Sequence, residues 1–306
     1  MSLVSIIKGR SGASGFGYAS TAEEVTAGLD LRGKTVLITG VGSGLGAESA
    51  RVLAMRGARV LGAARTKDKA AEAVRGLGNG ALPLACELSE PASVRACVAD
   101  VRQQGLAVDV LLCNAGVMAL PKRQVVHGQE LQFLTNHIGH FILVTGLLDS
   151  LTSDGRVVML SSGAHHRAPE VGICFDDLTL ANSYSPWGAY GQSKLANLLF
   201  AKALAKRLAG TKQTANAVHP GVIATNLWRH MNVVARVAAP VAAAVAMKNM
   251  EQGAATQCYV ATHPSLASVS GEYFSDCNIT KPSRHARNEA MAERLWDVTE
   301  AIVAKL

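Results

Sequence analysis

Tyr190 and Lys194 stand four residues apart at the start of a stretch with helical character, a separation that puts a phenol and an ammonium on one helix face. A phenol with a pKa of ~10 exchanges protons poorly at neutral pH, and lowering it by two or three units takes ~3 to 4 kcal/mol. A unit charge ~4 Å away supplies ~4 kcal/mol at an effective dielectric of 20, so Lys194 is expected to lower Tyr190 by favouring its phenolate. Taken alone, this spacing is common by chance and usually structural. Ser161 and Ser162 strengthen it, because they end an aliphatic run from Arg156 and would set a hydroxyl at the carboxyl edge of a sheet. Asn114, Ala115 and Gly116 end a second run, from Val108, and Asn136 lies in the helical stretch that follows.

A second chemistry is written further upstream. Gly40, Val41, Gly42, Ser43, Gly44, Leu45 and Gly46 join a strand at Thr35 to Thr39 to a helix from about Ala47 to Arg56. Glycines permit the tight turn and let backbone N–H groups and the helix N-terminus approach a pyrophosphate. In such a fold the end of the second strand meets the adenosine ribose, where an acid holds the 2′-hydroxyl and an arginine accommodates a 2′-phosphate. This chain has Ala63, Ala64 and Arg65 there and no carboxylate, which favours NADP(H) over NAD(H).

Short aliphatic runs alternate with helical stretches to position these groups: Thr35 to Thr39, Arg59 to Ala64, Leu82 to Cys86, Val108 to Cys113, Arg156 to Ser161 and Ala215 to His219. That rhythm predicts a single-domain α/β fold, a doubly wound parallel sheet with helices on both faces. Leu195, Leu198, Leu199, Ala203 and Leu204 mark the buried side of a helix within residues 189–208. Pro91 suits a first helical position with Ser89 as its cap, and Ser20 to Glu23 suit a cap for a short helix. Residues 1–30 are expected to be a flexible leader before a domain at 31–306. Gly and Pro residues at 163–188 and a stretch at 222–247 interrupt the rhythm and are expected to shape the substrate pocket.

With 49% hydrophobic and 17% charged residues among 306, the chain is no disordered polar segment, and the low aromatic share of 5% argues against an all-β fold. A net charge of +7 could suit an anionic partner, but basic runs interleaved with aromatics are missing, so nucleic acid is not expected. Six cysteines without CxxC spacing predict free thiols of a reducing compartment, the cytoplasm by default. The run from Val237 to Met247 falls short of the ~20 residues of a membrane span, and no transmembrane segment is expected. His137 with His140, and His165 with His166, lack convergent carboxylates or cysteines, so they are expected to be structural or pocket-lining and no metal is assigned.

Together these segments resemble the short-chain dehydrogenase/reductase family. Thr39 to Gly46 is similar to its TGxxxGxG loop, Asn114 to Gly116 to its NAG motif, Tyr190 to Lys194 to its YxxxK motif, and Pro220, Gly221 and Thr225 to its PGxxxT segment. The resemblance covers about residues 33–275. The wording of Thr135 to Phe141, with His219 to Gly221, looks like the retinol-dehydrogenase and WW-domain oxidoreductase branch. The resemblance implies that Tyr190 is the general acid/base, that Ser162 polarises the substrate carbonyl, and that Lys194 binds the nicotinamide ribose. It further implies that Asn136 holds a water in a proton relay and that Asn114 stabilises the sheet, its neighbouring backbone lining the cofactor site. Glu87 and Leu88 would contact the adenine, and Pro220, Gly221 and Thr225 the nicotinamide. The expected activity is NADP(H)-dependent interconversion of a carbonyl and an alcohol on a hydrophobic small molecule, in a homodimer or homotetramer. The alternative is an NADP(H)-sensing module with vestigial catalytic residues.

Overall fold

A computed structural model describes residues 11–223 and 247–306. The aliphatic runs become β1 (Thr35–Thr39), β2 (Arg59–Ala64), β3 (Leu82–Ala85) and β4 (Val108–Cys113). A small hairpin, β5 (Val125–Val126) and β6 (Gln129–Glu130), stands apart, and β7 (Leu151–Leu160), β8 (Thr214–His219), β9 (Tyr273–Ser275) and β10 (Asn278–Ile279) complete the main sheet. Its order is β10-β9-β8-β7-β4-β1-β2-β3, parallel throughout except for the β9–β10 pair. The chain runs outward from β1 to β3 and then returns to β4 on the other flank of β1. That reversal opens a crevice beyond the carboxyl ends of β1 and β4, the place where such sheets bind ligands.

Alternation along the strands divides the core in two. Leu37, Leu111, Val157 and Ala217 face one layer, and Val36, Ile38, Val110, Leu112, Val158 and Val218 face the other. The helices are α1 (Ala22–Val25), α2 (Gly44–Met55), α3 (Lys67–Val74), α4 (Pro91–Gln103), α5 (Leu131–Phe133), α6 (Gly139–Leu147), α7 (Pro186–Arg207), α8 (Met250–Thr262) and α9 (Glu289–Val303). The first layer takes α4, α6, α7 and α9, the second α1, α2, α3 and α8. A π-turn at Leu134–Ile138 joins α5 to α6. The run Leu131–Ser150 is long and apolar enough to cross a membrane by length and composition, and 78% of its most apolar 18-residue window is buried inside this fold.

Several boundaries differ from expectation for local reasons. The cap of α1 is Thr21, whose hydroxyl receives Glu24 N–H while the Glu24 carboxylate receives Thr21 N–H. Pro91 does begin α4, but Glu90 is the cap position, and the Ser89 hydroxyl instead donates to Glu87 at 2.9 Å. Strand β7 starts at Leu151, and its register against β4 shifts between Val108 and Val110. Within the expected leader, Ser14 N–H donates to Asn278 Oδ1 at 3.0 Å and the Phe16 ring meets Tyr259 edge-on.

Candidate active site

The turn after β1 is shaped by close approaches. Gly40 has φ +72°, and a Cβ on it would lie 3.0 Å from Ala115 Cα; a Cβ on Gly46 would lie 2.3 Å from the Gly40 carbonyl oxygen. Side chains are therefore excluded where the turn meets the first turn of α2. Ser43 sits at the N-cap of α2 without a side-chain hydrogen bond, which leaves the helix N-terminus uncapped toward the crevice. A cavity of about 570 Å³ opens there, lined by Gly40, Ser43, Leu45, Arg65, Glu87, Leu88, Asn114, Ala115 and Gly116. Such a cradle, with backbone rather than side chains at its base, fits the pyrophosphate of a dinucleotide.

A second cavity of about 600 Å³ holds Ser162, Tyr190 and Lys194, and the two cavities share Leu45, Asn114, Gly116, Val117 and Leu160. Ser162 thus faces one cleft with the Tyr190–Lys194 pair, which follows it 28 residues further along the chain. The Ser162 hydroxyl, which accepts Ala164 N–H at 3.1 Å, lies near enough to the Tyr190 phenol to favour its ionised form. Ser161 points elsewhere, giving its hydroxyl to the Lys194 carbonyl at 2.7 Å. Lys194 Nζ lies 5.8 Å from the Tyr190 ring centre and donates to the Leu160 carbonyl at 2.9 Å.

Electrostatics correct the sequence reading of this pair. Burial pushes Tyr190 up to about 12, against the lowering effect of the nearby Ser162 hydroxyl, and burial brings Lys194 down to about 8. Both charged forms lose water, and that loss outweighs the mutual help expected of a phenolate and an ammonium. The phenol stands protonated at neutral pH.

Asn136 occupies the π-turn with both ends of its side-chain amide hydrogen-bonded. Its Oδ1 accepts Val117 N–H at 2.8 Å, and its Nδ2 donates to the Val117 carbonyl and to Ser193 Oγ. Ser193 in turn gives its hydroxyl to the Tyr190 carbonyl at 2.8 Å, so this buried serine braces the helix that carries the phenol. His140 bridges Asn136 O and Thr39 Oγ1, each at 2.9 Å, and Thr39 Oγ1 also receives the N–H groups of Asn114 and Ala115. Asn114 Nδ2 donates back to the Thr39 carbonyl.

Pro220 and Gly221 line the second cavity, and Thr225 lies outside the described residues. So does most of the expected pocket-shaping stretch at 222–247. Sequence reasoning missed His219, whose Nδ1 accepts Gly163 N–H at 3.1 Å and ties the turn after Ser162 to β8. It also missed Met118, Arg167 and Trp187, which line the cavity. The histidine that ends β8 was signalled by its place directly before Pro220; the others carried no periodic signal.

A doubly wound parallel sheet whose topological reversal carries an uncapped glycine turn is the architecture of a dinucleotide-binding protein. The chain belongs to the short-chain dehydrogenase/reductase family, in its retinol dehydrogenase-like branch, and is an NAD(P)-dependent oxidoreductase. Residues 34–175 match the short chain dehydrogenase family. Short-chain dehydrogenase TIC 32 B, chloroplastic, of Brassica napus is 43% identical over 320 residues, covering 100% of both chains. Retinol dehydrogenase 14 of Homo sapiens is 38% identical, covering 90% of this chain and 88% of its own. Among solved structures, an uncharacterized protein of Mycobacterium paratuberculosis superposes with TM-score 0.75 at 36% identity, covering 92% of this chain and 97% of that one. A blue fluorescent protein from a metagenomic library, in complex with NADPH, superposes with TM-score 0.64 at 25% identity, covering 80% and 96%.

The cytoplasm expected from the cysteines is overturned by the full-length relatives, which are chloroplastic. All six thiols are free, but unpaired cysteines do not tell one reducing compartment from another.

Proposed function

We propose that the protein is an NADP(H)-dependent enzyme that interconverts the carbonyl of a hydrophobic ketone or aldehyde with an alcohol, Tyr190 acting as general acid/base. One observation carries this reading: Ser162, Tyr190 and Lys194 face a cavity continuous with the glycine-lined one. When bound, a nicotinamide supplies or accepts the hydride at the substrate carbon. Ser162 orients the carbonyl oxygen, and Tyr190, kept protonated by burial, gives that oxygen a proton in reduction and takes it back in oxidation. Lys194 binds the nicotinamide ribose and returns a proton toward the phenol. The water of the relay is assigned to Asn136, whose side-chain Oδ1 keeps a lone pair beyond its bond to Val117 N–H and whose backbone carbonyl faces the His140 ring.

Arg65 supports the choice of NADP(H). It lies exposed on the cavity wall next to Ala64, with no acid at the end of β2 to hold ribose hydroxyls. Glu87 and Leu88 line the same end and are assigned to the adenine, while Pro220 and Gly221 are assigned to the nicotinamide side. The chloroplastic relatives support a plastid as the place of action. Replacing Tyr190 by Phe tests the reading: turnover of ketones and aldehydes should fall by ~10²-fold or more with NADPH binding kept. Unchanged turnover removes Tyr190 from the chemistry, and NADPH binding without turnover of any carbonyl by the unaltered protein supports a sensing module instead.

A further inference from the structure

The substrate side of the cleft carries a cation that the chemistry above leaves unused. Gly163–Arg167 forms a 3₁₀ turn directly after Ser162, and with three residues per turn Ala164 and Arg167 fall on one side; both line the cavity of Tyr190. This turn is fixed from three directions. Gly163 N–H donates to His219 Nδ1, Ser283 N–H donates to His165 Nε2 at 3.1 Å, and His165 therefore carries its hydrogen on Nδ1 and donates to the Ser162 carbonyl at 2.6 Å. Gly191 of α7 backs it so closely that a Cβ there would lie 2.6 Å from Ala168 N.

The Arg167 guanidinium lies over the Trp187 ring, 4.9 Å from its centre, and the Trp187 ring meets Tyr190 edge-on at 6.1 Å. A guanidinium held over a ring face by cation–π attraction keeps its N–H groups available to bind a carboxylate bidentately. Among the described residues Arg167 has no ion pair and no hydrogen bond. None of the described residues lining the cavity is Asp or Glu, and Met118, Val222 and Ile223 make the rest of that side apolar. The described lining thus sets no negative charge against an incoming anion.

We propose that the substrate is an elongated carbonyl compound with an apolar middle and a carboxylate at its far end, which Arg167 binds while Ser162 and Tyr190 take the carbonyl. This rests on the carbonyl chemistry assigned to the cleft. It makes Arg167 a specificity-determining residue, placed by Trp187 within two ring contacts of the phenol.

The test uses the full chain with saturating NADPH and a series of straight-chain ω-oxo carboxylic acids of increasing length, each beside its methyl ester. At some length the acid should exceed its ester about tenfold or more in kcat/KM, with the difference in KM, and R167A should bring that ratio close to one. R167K should keep part of it, since lysine retains the charge without the fork. A parallel readout needs no turnover: quenching of tryptophan fluorescence by straight-chain alkanoates should require about tenfold more ligand in R167A, while the matching alkanols should show no such shift. Equal kcat/KM for acid and ester, or alkanoate binding that R167A leaves unchanged, overturns the proposal. Esters turned over equally with acids, and lost in Y190F, would sink it while sparing the carbonyl chemistry; alkanoate selectivity lost in R167A without any carbonyl turnover would do the reverse.

Discussion

Thr39 gives its hydroxyl hydrogen to His140 Nε2, 2.9 Å away. The direction follows from counting: Thr39 Oγ1 already receives the N–H groups of Asn114 and Ala115, so its lone pairs are taken and its own hydrogen must go to the ring. His140 is then neutral with its hydrogen on Nδ1, which donates to the Asn136 carbonyl. One imidazole thus ties the end of β1, the Asn114–Ala115 backbone and the π-turn into a single unit. Replacing His140 by Leu leaves the Thr39 hydroxyl and the Asn136 carbonyl short of a partner, and ~2 to 4 kcal/mol of stability should be lost. Adding Thr39→Val should cost less than it does alone, a coupling of ~1 kcal/mol or more in a denaturant double-mutant cycle; strict additivity would show that the bridge does not form.

The same burial makes stability depend on acid. His140 is held down to about 4, by burial first and by the Lys194 charge last, against an ordinary 6.5. Between those values the unfolded chain takes up a proton that the folded chain refuses, so stability is complete above pH ~6.5 and drains away as the pH falls toward 4. For this group the loss amounts to about 3 kcal/mol. His137, His165 and His219 are likewise lowered chiefly by burial, to about 3, 4 and 4. Urea midpoints followed from pH 8 to pH 4.5 should therefore drop steeply below 6.5, and less steeply in H140L.

The alternation of strands and helices was legible because it follows from burial on both faces of a parallel sheet, and the glycine turn because its backbone needs residues without side chains. Tyr190, Ser162 and Lys194 were legible as types at known intervals. Their acid strengths were not, since a sequence shows which charges are close along a helix but not how much water each keeps. Nor could spacing reveal the Thr39–His140 bridge, which joins residues 101 positions apart through a hydrogen count. Strands β9 and β10 are too short, at three and two residues, to give a periodic signal.

Lys194 sets a limit on the alkaline side. With its ammonium brought down by burial to about 8, the charge that serves the proposed ribose contact and proton return is lost well below the ordinary 10.5. Carbonyl reduction at saturating NADPH should decline above pH ~8, although Tyr190 itself stays protonated to about 12. A pH profile flat to pH 10 would show that the Lys194 charge takes no part.

Arg65 governs cofactor choice in the proposed reading. Arg65→Ala should raise the KM for NADPH by about tenfold, the scale of one charge-assisted hydrogen bond to phosphate, and leave that for NADH nearly as it was. An unaltered enzyme that used NADH tenfold more efficiently than NADPH would contradict the assignment.

Two glycines of the turn separate folding from binding. At Gly46 a Cβ would press on the Gly40 carbonyl and on Asn114 Nδ2 at 2.3 and 2.6 Å, so Gly46→Ala must displace backbone and should lose ~1 to 3 kcal/mol of stability together with dinucleotide binding. Gly42 is exposed, has no atom within 4 Å of its would-be Cβ and does not need a left-handed backbone. Gly42→Ala should consequently melt at the temperature of the unaltered protein, and any weakening of NADPH binding, read by nucleotide fluorescence, must come from a methyl group standing where the pyrophosphate approaches the backbone. A tenfold or larger rise in Kd without a change in Tm is the expected result, and an unchanged Kd would place the phosphates away from this edge of the turn.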